Sequence, residues 1–156
     1  MPTDSLHIAL LGDLQLTYGP DACTTVLHTV NTARLQALLS YLLLHRSAPQ
    51  AREHLAFLFW PDTSEAQALT NLRNLLHKLR QALPTPAQFL LIDARSVQWR
   101  PDAPYTLDVA TFEQAVAQAT TCVDLARASD LYHGELLPGC YEDWILPERE
   151  RLRQLA

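Results

Sequence analysis

Residues 59–83 read FWPDTSEAQALTNLRNLLHKLRQAL, and the organisation of the chain follows from how this stretch folds. Pro61 ends any preceding helix, because it has no backbone N–H and its ring clashes with the turn before it. Ser64 with Gln67 matches a capping box, the signature of a helix start. Leu69, Leu72, Leu75, Leu76, Leu79 and Leu83 then recur at helical spacing until Pro84-Thr85-Pro86 stops them. Advancing ~100° per residue from Leu69 sets Gln67, Thr70, Asn74, His77, Lys78 and Gln81 opposite the leucines, with Arg73 and Arg80 on one flank and Asn71 on the other. A merely wet helix face commonly mixes Glu with Lys at i,i+4, for roughly 0.2–0.5 kcal/mol per pair. From Ala66 to Leu83 there is no acid. Such a face suits an anion, and DNA first of all: Asn and Gln pair with adenine edges, Lys with guanine or phosphate, and Thr with a base methyl or a phosphate.

Working upstream, Ala51 to Trp60 makes only a short helix, with Leu55, Leu58 and Phe59 inward, preceded by a break at Ser47-Ala48-Pro49. Before it, Asn31 and Thr32 offer N-caps to a helix whose Leu35, Leu38, Leu39, Leu42 and Leu43 share one face and which ends near His45. Leu6 to Leu11, Leu14 to Tyr18 and Thr24 to Val30, separated by Gly12-Asp13 and Gly19-Pro20-Asp21, read as a small antiparallel sheet. Downstream, Phe89 to Ile92 and Val97 to Arg100 form a hairpin across Asp93-Ala94-Arg95-Ser96, which sets Arg95 near its tip, within reach of phosphate or an adjacent minor groove. The fold class is therefore an α+β winged helix-turn-helix: N-terminal antiparallel sheet, three helices and a C-terminal wing hairpin, spanning 1–104. Beyond Pro101 and Pro104, Val109 to Ala119, Cys122 to Tyr132 and roughly Tyr141 to Ala156 read as an α-helical segment of stacked helix pairs, 105–156.

Charge divides the same way. Residues 1–100 carry 8 Lys and Arg against 7 Asp and Glu, whereas residues 101–156 carry 4 against 10, so the net charge of −5 belongs to the C-terminal third. Cys23, Cys122 and Cys140 are odd in number and lack Cys-x-x-Cys spacing, which argues for reduced thiols rather than disulfides or zinc. No run approaches the ~18 apolar residues of a membrane span, and the Met-Pro-Thr-Asp start has no signal-peptide character, so a cytoplasmic location is expected. Six histidines show no metal-binding spacing, four glycines make no phosphate-cradling loop, and no serine sits in a nucleophile elbow. Trp60, Trp99 and Trp144 lie at or within apolar elements and are expected to pack rather than stack on bases. Neither enzyme activity nor a cofactor or metal is expected.

Residues 6–156 resemble bacterial regulators of the Streptomyces antibiotic regulatory protein type, which join an OmpR-like winged helix to a bacterial transcriptional activator domain. The resemblance runs through RLQALLSYLL at 34–43, REHL at 52–55, LFWPD at 58–62, NLR at 71–73 and LRQAL at 79–83. It continues through LDVATF at 107–112 and LYHGELLP at 131–138. It implies that the third helix, about 64–83, enters the major groove, that the 89–100 hairpin is a wing, and that the 61–64 loop faces RNA polymerase. It also implies that 105–156 begins a tetratricopeptide-like interaction domain. The chain departs from the family in the absence of a glycine from the hairpin turn and in a much shorter activator domain.

The sequence thus predicts a transcriptional regulator, of activator type, that binds double-stranded DNA. The DNA-binding residues are Gln67, Thr70, Asn71, Arg73, Asn74, His77, Lys78, Arg80, Gln81 and Arg95. So few cations imply weak binding by one module, and hence a homodimer or tandem sites on direct repeats. The alternative is a winged-helix module that docks on another protein and binds no DNA, as the acidic C-terminal third allows.

Overall fold

A computed structural model describes residues 4–20 and 24–156; Asp21 of the expected turn, the Cys23 thiol and the first three residues lie outside the described residues. The chain separates into two compact units, Met1–Leu27 joined with Tyr105–Ala156, and His28–Pro104.

The discontinuous unit opens with β1 (Ser5–Ala9), β2 (Gln15–Gly19) and β3 (Thr25–Leu27). β1 and β2 pair antiparallel from Ser5↔Gly19 to Ala9↔Gln15, and β3 lies antiparallel to β2 on its far side. Leu6, Ile8 and Leu16 are buried on one face of this sheet, the period-2 alternation that a half-covered sheet imposes. Gly12, between β1 and β2, sits at φ 106°, a left-handed conformation that side-chain-bearing residues rarely adopt.

The continuous unit, 28–104, contains the helix-turn-helix. Helix α1 (Ala33–Leu44) starts where Thr32 Oγ1 accepts from the Leu35 N–H at 3.2 Å, and it buries residues on nearly every side, so it is the unit's central helix. Its one buried polar side chain, Ser40, donates to the Gln36 carbonyl at 2.6 Å. The two-residue strand β4 (Gln50–Ala51) leads into α2 (Arg52–Phe59). The expected inward face of α2 is Leu55 and Phe59, both buried, joined by a half-buried Leu58. Helix α3 (Glu65–Ala82) is capped by Ser64, whose Oγ accepts from the Gln67 N–H at 3.3 Å. Only that half of the expected capping box forms: the Gln67 side chain donates instead to Asn71 Oδ1 at 2.9 Å. Ala68, Leu72, Leu75, Leu76, Leu79 and Ala82 are the buried face of α3, against α1 and α2.

A short α4 (Pro86–Phe89) follows, then β5 (Leu90–Ile92) and β6 (Ser96–Trp99), which pair as the expected hairpin from Leu90↔Trp99 to Ile92↔Val97. β4 adds to the other edge of β6, giving the order β4-β6-β5 and tying the hairpin to the start of α2. Trp99 is fully buried, its ring stacked on Phe89 with centroids 5.4 Å apart.

After Pro104 the chain returns to the first unit. β7 (Tyr105–Leu107) pairs in parallel with β1, so the sheet order is β3-β2-β1-β7. Helix α5 (Asp108–Gln118) begins with Asp108, whose carboxylate accepts from the Leu10, Leu11 and Val109 N–H groups at 2.8–2.9 Å. α6 (Cys122–Asp130) packs on α5, and α7 (Ile145–Leu155) ends the chain. These pairings explain why the N-terminal sheet groups with 105–156 rather than with the helix-turn-helix, a partition that differs from the expected 1–104 and 105–156. Strand β1 has a second edge, and only a segment a hundred residues later satisfies it.

Arg149 on α7 donates to three carbonyls, Leu136 at 2.9 Å, Leu137 at 2.7 Å and Cys140 at 3.0 Å, closing the irregular 131–144 segment. Arg149→Met keeps the aliphatic stem but leaves those carbonyls without their charged donor. The expected loss is on the order of 2–3 kcal/mol, read as a lower denaturation midpoint.

Candidate nucleic-acid interface

The polar face of α3 faces solvent as its spacing requires. Gln67, Thr70, Arg73, Asn74, His77, Lys78, Arg80 and Gln81 are exposed, and Asn71 is half-buried. The backbone fixes what some of them offer. Thr70 donates its hydroxyl proton to the Ala66 carbonyl at 3.1 Å, so it presents a methyl group and an acceptor rather than a donor. The Gln67–Asn71 bond leaves the Gln67 carbonyl and the Asn71 N–H₂ as the outward groups of that pair. Arg73, Asn74, His77, Lys78, Arg80 and Gln81 have no hydrogen-bond or ion-pair partner among the described residues.

The other unit is the control. Arg151 pairs with Glu148 at 2.9 Å and with Glu113 at 3.1 Å. Arg153 pairs with Glu150 at 3.1 Å and with Glu135, and Arg149 is bound to carbonyls. Charge follows the two units more sharply than it follows the linear sequence. Residues 28–104 hold 8 Lys and Arg against 5 Asp and Glu, a net +3, and the other unit holds 4 against 12, a net −8.

The hairpin turn does without glycine because Asp93 organises it. Its Oδ1 accepts from the Arg95 and Ser96 N–H groups at 2.8 and 2.7 Å, and its Oδ2 from the Ser96 hydroxyl at 3.1 Å. The Arg95 carbonyl in turn accepts from the Arg52 N–H at 2.8 Å. Arg95 is thus exposed at a tip whose backbone is held from both sides. The backbone N–H of Arg95, then that of Ser96, lowers the Asp93 pKa below its ordinary 3.8. A depressed carboxylate contributes stability above its unfolded pKa and loses it as pH falls through the folded value. The expected outcome is that the Arg95 and Ser96 amide signals titrate together, with a midpoint below 3.8. A midpoint at or above that value would mean the turn is not held this way.

In the 61–64 loop, Pro61, Asp62 and Ser64 are exposed and Thr63 is half-buried. The side chain before it, Trp60, lies under the Arg34 guanidinium at 5.2 Å, with Phe59 at 5.7 Å. The sequence gives no sign of this clamp, since nothing local links residue 34 to residue 60. Nor does it signal a cleft of about 520 Å³ between the end of α3 and the hairpin, lined by Arg80, Gln88, Leu91 and Arg100 among others. Among the described residues no group of three His, Cys, Asp or Glu is placed to hold a metal ion, and no helix is long and apolar enough to cross a membrane.

No family model matches the sequence, and no curated protein matches it significantly. Among solved structures the chain is similar to Mycobacterium tuberculosis EmbR in complex with a low affinity phosphopeptide, with a TM-score of 0.71 and 21% identity. The match covers 97% of this chain and 42% of that one, so the chain spans less than half the length of EmbR. At this identity the likeness speaks for the fold alone, and it is consistent with a winged helix followed by a helical segment.

Proposed function

We propose that the protein is a sequence-specific, double-stranded DNA-binding transcriptional regulator of the activator type. Helix α3 enters the major groove and the β5–β6 hairpin is the wing. The observation that carries this is the exposed, acid-free face of α3, whose Arg73, Lys78 and Arg80 side chains lack partners among the described residues, whereas the arginines of α7 are bound within the protein. Unpaired cations on an ordered helix are ready to displace counterions from a phosphate backbone without first breaking internal bonds. Arg73, Lys78, Arg80 and Arg95 anchor phosphates, and Asn74, His77, Gln81 and the Thr70 methyl read bases, with Gln67 and Asn71 acting as an oriented amide pair. The 61–64 loop meets RNA polymerase, and α5 and α6 begin a tetratricopeptide-like interaction surface. The fold of EmbR, itself bound to a phosphopeptide, supports a regulator that engages other macromolecules. With a net +3 on the binding unit, tight occupancy needs two copies on direct repeats.

Selection of bound duplexes from a random pool tests the reading, and enrichment of a repeated half-site is the expected result. A second reading is that the same fold docks on a protein and binds no DNA; the net −8 of the unit that holds 105–156 favours it. Absence of any duplex shift at about 0.1 mM protein in low salt, the top of the ordinary non-specific range, would decide for docking.

A further inference from the structure

The cleft beside the wing is lined by Arg80, residues 85–88, strand β5 and Arg100, and no acid is among them. Two arginines line it from separate parts of the chain, one near the end of α3 and one just after β6. The Arg100 backbone is fixed: its N–H donates to the Phe89 carbonyl at 2.7 Å and its carbonyl accepts from the Ala103 N–H at 3.1 Å. The Arg100 Nε is shut off from solvent and meets no hydrogen-bond acceptor among the described residues. An Nε that solvent cannot reach leaves the terminal N–H₂ groups of Arg100 as the donors that a ligand in the cleft meets. Gln88 adds a third donor, because its Oε1 accepts from the Thr85 hydroxyl at 3.0 Å and its N–H₂ is the end left over. Donors on the walls, apolar β5 side chains below and no acid define a site for an anion carried on a less polar body.

We propose that this cleft binds a phosphate group, held between Arg80 and Arg100 with Gln88 as third donor. The phosphate comes from one of two sources, a phosphodiester of the duplex lying along α3 or the phosphate of a small soluble molecule. Arg80 belongs to the anchoring set of α3, which favours the duplex, and that source rests on the function proposed above. The cleft then extends the footprint from the helix toward the wing.

The test uses the full chain in two arms. In the first, the slope of log K for duplex binding against log salt is measured for the wild type, Arg100→Gln, Arg100→Lys and Gln88→Glu. One neutralised phosphate contributes about 0.9 to that slope, so Arg100→Gln lowers it by about 0.9 and Arg100→Lys restores it. Gln88→Glu, which places a carboxylate on an exposed position of the cleft, lowers it in the same way and covers the case in which Arg100→Gln fails to fold. In the second arm, inorganic pyrophosphate is titrated without DNA while the Arg100 Nε–H and Gln88 side-chain N–H₂ signals are followed. Saturable shifts in the wild type that vanish in Gln88→Glu, together with unchanged salt slopes, assign the site to a small phosphorylated molecule. Unchanged slopes and no pyrophosphate shift overturn the cleft while leaving DNA binding by α3 intact. No duplex binding by the wild type, with pyrophosphate still shifting both signals, overturns the DNA reading and leaves the cleft standing. Silence in both arms overturns both.

Discussion

Replacing Lys78 and Arg80 together by glutamate is expected to abolish duplex binding and leave thermal unfolding where it was. Both side chains are exposed and bonded to nothing else in the described residues, so their exchange costs the fold little. Binding depends on them differently. Each phosphate left without its cation takes about 0.9 from the slope of log K against log salt, roughly an eightfold weakening at 0.1 M, so two such phosphates account for about 60-fold. Two new carboxylates facing the backbone take the loss beyond about 100-fold. Binding that survives the double change with an unaltered salt slope would remove α3 from the interface.

The second large effect is on stability. Trp99→Ala empties the centre of the 28–104 unit, where the indole is fully buried and stacked on Phe89. Truncation of a buried aromatic side chain costs about 3–5 kcal/mol, set against a typical total of roughly 5–15 kcal/mol. The unit is expected to melt roughly 15–30 °C lower, since each kcal/mol shifts the midpoint of a domain this size by about 4–8 °C. Calorimetry checks this, and a drop of only a few degrees would contradict the packing described. DNA binding by the variant is expected to fail in step with unfolding, with no change in salt slope below the new midpoint, which separates it from Lys78→Glu, Arg80→Glu.

Where the sequence was legible, the signal was local. The spacing of Leu35 to Leu43 and of Leu69 to Leu83 places α1 and α3 to within a residue or two, because burial of one face repeats with the helical period. The outward residues of α3 follow from the same geometry, and all the expected binding residues are exposed except the half-buried Asn71. Non-local pairing was not legible. Tyr105–Leu107 is a strand only because β1, a hundred residues earlier, has a free edge, and β4 is two residues long beside Pro49. The turn of the β5–β6 hairpin was located but not explained, since the glycine that the resemblance implies there is replaced by one carboxylate accepting three donors. The Arg80–Arg100 cleft has no motif because its two arginines belong to elements twenty residues apart.

The parallel pairing of β1 with β7 sets the order in which the protein is finished on the ribosome. All 77 residues of 28–104 emerge before Tyr105, so helices α1 to α3 and the β5–β6 hairpin have everything they need while β1 still waits for its partner. Closing the sheet then means joining two ends of a long intervening chain, and an already compact insert shortens the distance that diffusion must cover. Nascent chains arrested at the length at which residue 104 has just cleared the ribosomal exit tunnel are therefore expected to show a protease-resistant core of 28–104, with the β1–β2 hairpin still open to cleavage.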